Sequence, residues 1–171
     1  MKERTGLVKF KENPMTLVGD PIEVGDKAPD FTAVKQDLSE FKLSDLDGKI
    51  KIISVVPSLD TGVCQLQTKH FNKEATDLDD SVVMITISND LPFAQKRFNE
   101  EHEINKMMIV SDHKESDFGQ KYGLLMKELR LLARAVLVLD KDNTVKYIDI
   151  NKQVAEEPDY DKALHALKEL V

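Results

Sequence analysis

The sequence predicts an α/β fold, a mixed central sheet flanked by helices, with an N-terminal β-hairpin. Three observations carry this expectation. Residues 49–56 (KIKIISVV) and 81–88 (SVVMITIS) are short apolar runs of the kind found in strands buried on both faces. Each run is followed by a stretch with helical spacing, residues 62–77 and 91–101. The last two strand-like runs are separated only by the turn-like KDN, so the sheet closes with an antiparallel hairpin.

Taken in order, residues 6–10 and 15–18 flank the turn-like KENP and form the N-terminal hairpin. GDPIEVGDKAPDF, rich in Gly, Asp and Pro, is loop. Residues 31–34 and 41–43 are short strands, and 49–56 is a central one. In the helix from Gly62 to about Asp77, Val63, Leu66, His70, Phe71 and Ala75 fall at helical spacing. The strand 81–88 leads to the helix 91–101, with Pro92 in its first turn, where its missing N–H costs nothing. Residues 106–110 form a strand, with Met107 and Met108 as core. Residues 116–122 form a short helix stopped by Gly123. Strands at 135–140 and 144–150 precede an amphipathic helix at 159–170. The order β-α-β-α-β-(α)-β-β-α places helices on both faces of a mixed sheet. The chain is expected to be a single domain over residues 1–171, with residues 1–19 as the hairpin extension.

Bulk properties narrow the function classes. A chain of 171 residues buries roughly 70% of the surface that its unfolded form exposes, so it needs no covalent staples. The net charge of −7 and the lack of a basic stripe argue against a nucleic-acid partner. The one dense basic stretch, residues 127–134, is interleaved with leucines. No run approaches the roughly 20 apolar residues of a membrane-spanning helix, and the first residues lack a signal-peptide core. A single cysteine, Cys64, excludes an intrachain disulfide and points to a reducing, cytoplasmic setting. His70, His102, His113 and His165 show no metal-ligand spacing. No phosphate loop, haem, flavin or nucleotide motif is present, so neither metal nor cofactor is expected. His70 is expected to pack, and His113 to make a structural hydrogen bond.

Cys64 is the residue that most needs explaining. It falls in the first turn of a helix that follows a buried strand, in VVPSLDTGVCQLQTKHF. Free N–H groups and the positive end of the helix dipole favour a thiolate there over a thiol. Thr61, three residues earlier, is placed to cap the helix and to point its hydroxyl at the sulfur. Pro57 stiffens the loop and shields the sulfur from water. The bland alternative is a small buried hydrophobe. A thiolate that attacks a peroxide also needs a cation or donor for the charge that develops on the leaving oxygen. Arg97, Arg130 and Arg134 are candidates, and spacing does not choose among them.

PSLDTGVC matches the P-x-x-x-T-x-x-C signature of the peroxiredoxins, and most of the chain resembles one branch, the bacterial thiol peroxidases of the Tpx type. The resemblance covers GDKAPDF at 25–31, SVVPSLDTGVC at 54–64, ISNDLPFAQKRF at 87–98, SDH at 111–113 and ELRLLARAVLVLD at 128–140. It implies a thioredoxin-like fold with an N-terminal hairpin. It also implies a peroxidase acting on hydrogen peroxide and organic hydroperoxides, and a homodimer whose interface lies near the active site. Cys64 would be the peroxidatic cysteine, oxidised to a sulfenic acid. Thr61 would hydrogen-bond the sulfur and the peroxide, Pro57 would shield the pocket, and Arg134 would stabilise the thiolate and hold the peroxide oxygens.

The sequence departs from that branch at Asn99, which follows R-F where a resolving cysteine usually stands. Recycling would then fall to an external thiol reductant, either a thioredoxin-like protein or a low-molecular-weight thiol, or to a Cys64–Cys64 link between two chains. Lys114, in SDHK where the branch often has SDHR, keeps the charge but loses the planar fork. The rival reading is a peroxide sensor that kept the pocket without turnover.

Overall fold

The strand Ile50–Val55 is buried at every residue, Lys51 included. That is the burial expected where both faces of a sheet are covered. The computed structural model describes residues 1–171. Its strands are β1 (Glu3–Phe10), β2 (Asn13–Val18), β3 (Thr32–Val34), β4 (Glu40–Lys42), β5 (Ile50–Val55), β6 (Val82–Ser88), β7 (Met108–Ser111), β8 (Leu125–Met126), β9 (Leu131–Leu132), β10 (Ala135–Leu139) and β11 (Val145–Ile150). Its helices are α1 (Gly62–Ala75), α2 (Pro92–His102), α3 (Asp117–Lys121) and α4 (Tyr160–Lys168). The main sheet runs β11-β10-β5-β6-β7-β3-β4. Within it β5, β6 and β7 are parallel, while β3, β4, β10 and β11 pair antiparallel.

Alternation along the strands sorts the core into two faces. Ile50, Ile52, Val136 and Val138 meet Phe71 of α1 and Ala163, Leu164 and Leu167 of α4. Ile53, Val55, Leu137 and Leu139 join Phe31, Phe41 and Phe118 on the other face, which α3 covers. Helix α2 lies on the α1 side, where its Phe98 packs with Ile109 of β7. Lys51 points to the α3 side. Its ammonium donates to Asn143 Oδ1 at 2.5 Å, and burial holds its pKa below the ordinary value against the pull of Asp47, Asp140 and Asp142.

A second, four-stranded antiparallel sheet has the order β1-β2-β8-β9. The N-terminal hairpin is as expected, but its turn is tighter than KENP. Only Lys11 and Glu12 turn, with Lys11 at φ 57°, and Asn13 and Pro14 already belong to β2. The β8–β9 pair falls where the sequence showed only leucines among basic residues. Two-residue strands are too short to display an alternation. Met126 and Leu131 pack with Val8, Met15 and Leu17 of the hairpin, while Leu132 joins the main core. A 3₁₀ turn at Leu43–Leu46 was likewise not anticipated. No helix is long and apolar enough to cross a membrane.

Candidate active site

The site forms where β5 ends and α1 begins. Parallel β5, β6 and β7 all present their carboxyl ends here, the side on which open α/β sheets bind ligands. The chain leaves β5 through Val56 and a buried Pro57, then enters α1 with Thr61 as N-cap. The first helical bond of α1 runs from Gln65 N–H to Thr61 O. Cys64 therefore lies in the opening turn, among the N–H groups that have no helical acceptor. Its side chain has no exposed surface and packs with Val56, Leu59, Phe98, Ile104 and Ile109.

Arg134 immediately precedes β10. Period-two alternation puts it on the same face as Val136 and Val138, beneath α1. It is 2% exposed, so its charge is held by partners and not by water. Nη2 donates to Cys64 Sγ at 3.3 Å, Nη1 to Gln67 Oε1 at 2.9 Å, and Nε to Val154 O at 2.7 Å. Gln67 in turn donates through Nε2 to Ser54 Oγ at 2.8 Å. Arg97 and Arg130 are both exposed on the surface. Of the three arginines that spacing left open, the one in contact with the sulfur is Arg134.

A buried sulfur at a helix N-terminus, with a guanidinium donating to it, is an arrangement for holding a thiolate and for meeting a small polar substrate. Similarity to known proteins agrees with this chemistry. The sequence profile of the redoxin family matches residues 23–164. A thiol peroxidase of Oceanobacillus iheyensis is 52% identical over 94% of this chain and 97% of that protein. The thiol peroxidase of Bacillus subtilis is 49% identical over 96% of this chain and 98% of that protein. The crystal structure of a peroxiredoxin-like protein from Aquifex aeolicus superposes with a TM-score of 0.91 at 40% identity, covering 98% of this chain and 99% of that one.

The chain belongs to the redoxin family.

Within that family it is a peroxiredoxin of the thiol peroxidase branch, with the thioredoxin-like fold that the sequence resemblance implied. This peroxiredoxin departs from its sequence expectations at several side chains. Thr61 is the N-cap by backbone position, but its exposed hydroxyl caps nothing. It donates to Ser58 O at 3.0 Å, so it neither closes the helix nor bonds to the sulfur. The buried face of α1 overlaps the one that spacing suggested only in part, at Phe71 and at Ala75, which packs against the same core. Leu66 is 54% exposed, whereas Cys64, Gln67, Thr68 and Phe71 are buried. A helix that delivers polar groups to a buried arginine turns some polar residues inward, and apolar periodicity then misses Gln67 and Thr68 in its first turns. His70 does pack, stacked on Tyr160 with ring centroids 3.8 Å apart. His113 is exposed, and only its backbone N–H is engaged, by Ser111 Oγ. Met107 and Met108, at the start of β7, are half-buried and pack against the core from its edge.

Gln67, Val154 and Asp90 escaped the sequence reading altogether. Gln67 sits one helical turn after Cys64, a spacing that would have found it. Nothing local marks a carbonyl at Val154. Asn99 lies in the second half of α2, directly after Phe98, which touches the Cys64 cluster. No second thiol exists.

Proposed function

We propose that this peroxiredoxin reduces hydrogen peroxide and organic hydroperoxides through Cys64 and is recycled by an outside thiol. The observation that carries the reading is the 3.3 Å contact from Arg134 Nη2 to Cys64 Sγ in a site sealed from water. The Cys64 thiolate attacks one peroxide oxygen. The S–O bond forms as the O–O bond breaks, and water or an alcohol leaves after taking up a proton. Sulfur is oxidised by two electrons to the sulfenic acid. Arg134 stabilises the thiolate and the charge that moves onto the leaving oxygen. Pro57 keeps the loop closed over the sulfur. Thr61 supplies a hydroxyl at the entrance, released from Ser58 O when peroxide arrives.

Because Asn99 stands where a resolving cysteine would, the sulfenic acid is attacked by an external thiol. An S–S bond forms, water leaves, and a second thiol regenerates Cys64. The reductant is a thioredoxin-like protein or a low-molecular-weight thiol. The exposed Leu66, Leu91, Phe93 and Leu129 support a homodimer that covers the rim of the site. The lone unpaired thiol supports a cytoplasmic setting. The hairpin of residues 1–19 is part of the same folding unit as the rest of the single 1–171 domain, since Val8, Met15 and Leu17 share a core with Ala133 and Val154.

One equivalent of hydrogen peroxide added to the reduced protein tests this reading by intact mass. The expected result is gain of one oxygen on a monomer-mass chain within seconds, absent in Cys64→Ser and reversed by added thiol. A covalent dimer would instead mean that two chains resolve each other. The sensor reading rests on the single cysteine and predicts oxidation without steady-state turnover under any thiol. An unchanged mass over minutes overturns both.

A further inference from the structure

Helix α2 begins just after Asp90, a residue outside the peroxide-binding set. Asp90 is partly buried and accepts hydrogen bonds from two segments. Oδ1 takes Ser58 Oγ at 2.8 Å, and Oδ2 takes Leu59 N–H at 2.7 Å and Ser88 Oγ at 2.7 Å. Ser58 and Leu59 lie in the loop between Pro57 and Thr61. Their own carbonyls continue the chain of contacts. Ser58 O accepts the Thr61 hydroxyl and the Thr61 N–H, and Leu59 O accepts Gln65 Nε2 at 3.1 Å. On the other side, the Asp90 carbonyl accepts Ser111 Oγ, and Ser88 Oγ accepts Gln95 Nε2 at 3.0 Å. The Asp90 carboxylate therefore fastens the active-site loop to the β6–α2 junction, while the backbone carbonyl of the same residue ties that junction to β7 through Ser111.

Access to Cys64 gives this fastening a consequence. Its sulfur has no exposed surface. The peroxidase reading needs the closed geometry, in which Arg134 donates to the sulfur. With the sulfur wholly covered, a small peroxide needs only a slight opening of the site, whereas an outside thiol or any larger reagent needs the loop to lift. The hydrogen bonds to Asp90 hold the loop down, and charge-assisted bonds are the strong ones.

We propose that Asp90 is a positioning residue that latches the Pro57–Thr61 loop, favouring attack on peroxide while limiting the rate at which an outside thiol reaches oxidised Cys64. The proposal rests on the peroxidase reading for its first half and on the buried geometry of Cys64 for its second. Loosening the latch moves the two half-reactions in opposite directions while the fold is kept. The urea unfolding free energy of each variant is therefore measured beside the rates, and rate changes that merely track a lower unfolding free energy overturn the latch.

The test compares the unaltered protein with Asp90→Asn and with the milder Ser58→Ala, which keeps the Leu59 bond. Three rates are read in each. These are oxygen gain at Cys64 with hydrogen peroxide, reduction of the preformed sulfenic acid by 2-mercaptoethanol, and labelling of reduced Cys64 by N-ethylmaleimide. Losing bonds to an ionised group predicts peroxide attack slower by about 10- to 100-fold in Asp90→Asn. Sulfenic acid reduction and labelling both become faster, and Ser58→Ala falls between. All three rates unchanged, or all three lowered together in both variants, overturns the latch. Maleimide labelling needs no peroxide chemistry, so it judges the latch even if the unaltered protein fails to take oxygen and the peroxidase reading falls.

Discussion

At the scale of single residues, the guanidinium of Arg134 does three things at once. One nitrogen meets the sulfur, one meets Gln67, and one meets a carbonyl twenty residues later in the chain. Its planar fork fits this three-way arrangement, and the point charge of a lysine does not. Arg134→Lys is therefore expected to slow oxygen gain at Cys64 by about 10²- to 10³-fold, the usual loss when a donor to developing charge is removed. Competition kinetics against a reference peroxidase measures it, and a loss below threefold would contradict the role. Gln67→Ala frees one arm of Arg134 and leaves Ser54 Oγ without its donor. A smaller drop is expected, seen in the same assay. The sequence displayed Cys64, Thr61, Pro57 and the candidate arginines because signature spacing is local. It did not display Gln67 as a partner of Arg134, or Asp90 as an anchor, because those contacts join segments far apart in the chain. The offset of Thr61 suggests a cap and a partner for the sulfur, but its hydroxyl is turned to the nearby Ser58 carbonyl, to which it donates, and it accepts no helical N–H.

Among the elements, β5 and β6 were legible because burial on both faces leaves continuous apolar runs, and α4 because its apolar stripe is clean. The β8–β9 pair was not, since its stability comes from the hairpin beside it. That hairpin also reaches the active site. Lys9 N–H donates to Lys152 O, and Lys9 O accepts Val154 N–H, both at 2.8 Å. Val154 O is the acceptor for Arg134 Nε. Lys9→Pro removes the first of these bonds. It is expected to lower the peroxide rate constant several-fold while the circular dichroism spectrum stays folded. An unchanged rate would show that Val154 holds its place without β1.

Helix α3 offers a pH test. Asp112 is buried and accepts the N–H groups of Phe118 and Gly119. Burial raises its pKa from 3.8 to about 6, against those hydrogen bonds. A folded-state value above the unfolded one means that its contribution to stability is fully present below about pH 4 and is lost as the pH rises through about 6. Replacing it by Asn should remove that downward component from the melting temperature between pH 4 and 7. Parallel melting curves for the two proteins across that range would count against it.

For the whole molecule, helix α4 seals the face of the sheet that carries α1. Leu167 is fully buried there, and Leu167→Ala should cost about 2–5 kcal/mol in urea unfolding. A cost near zero would mean that α4 is only loosely docked. The proposed dimer gives a second test at this scale. Phe93 is 67% exposed at the start of α2, so Phe93→Arg should convert a dimer to a monomer in sedimentation velocity. An unaltered protein that is already monomeric would remove the dimer from the reading.

The route from Cys64 to Val154 also bears on how the protein is made. Seventy residues separate the sulfur from Arg134, and twenty more separate Arg134 from the carbonyl that steadies it. At a synthesis rate of about 5–20 residues per second, the growing chain carries its cysteine for roughly 5–20 s before the partners of that cysteine exist. Over that interval the thiol has neither its guanidinium nor its sealed pocket. Reactivity toward oxidants is acquired at the end of translation, when the ribosome has delivered nearly the whole chain.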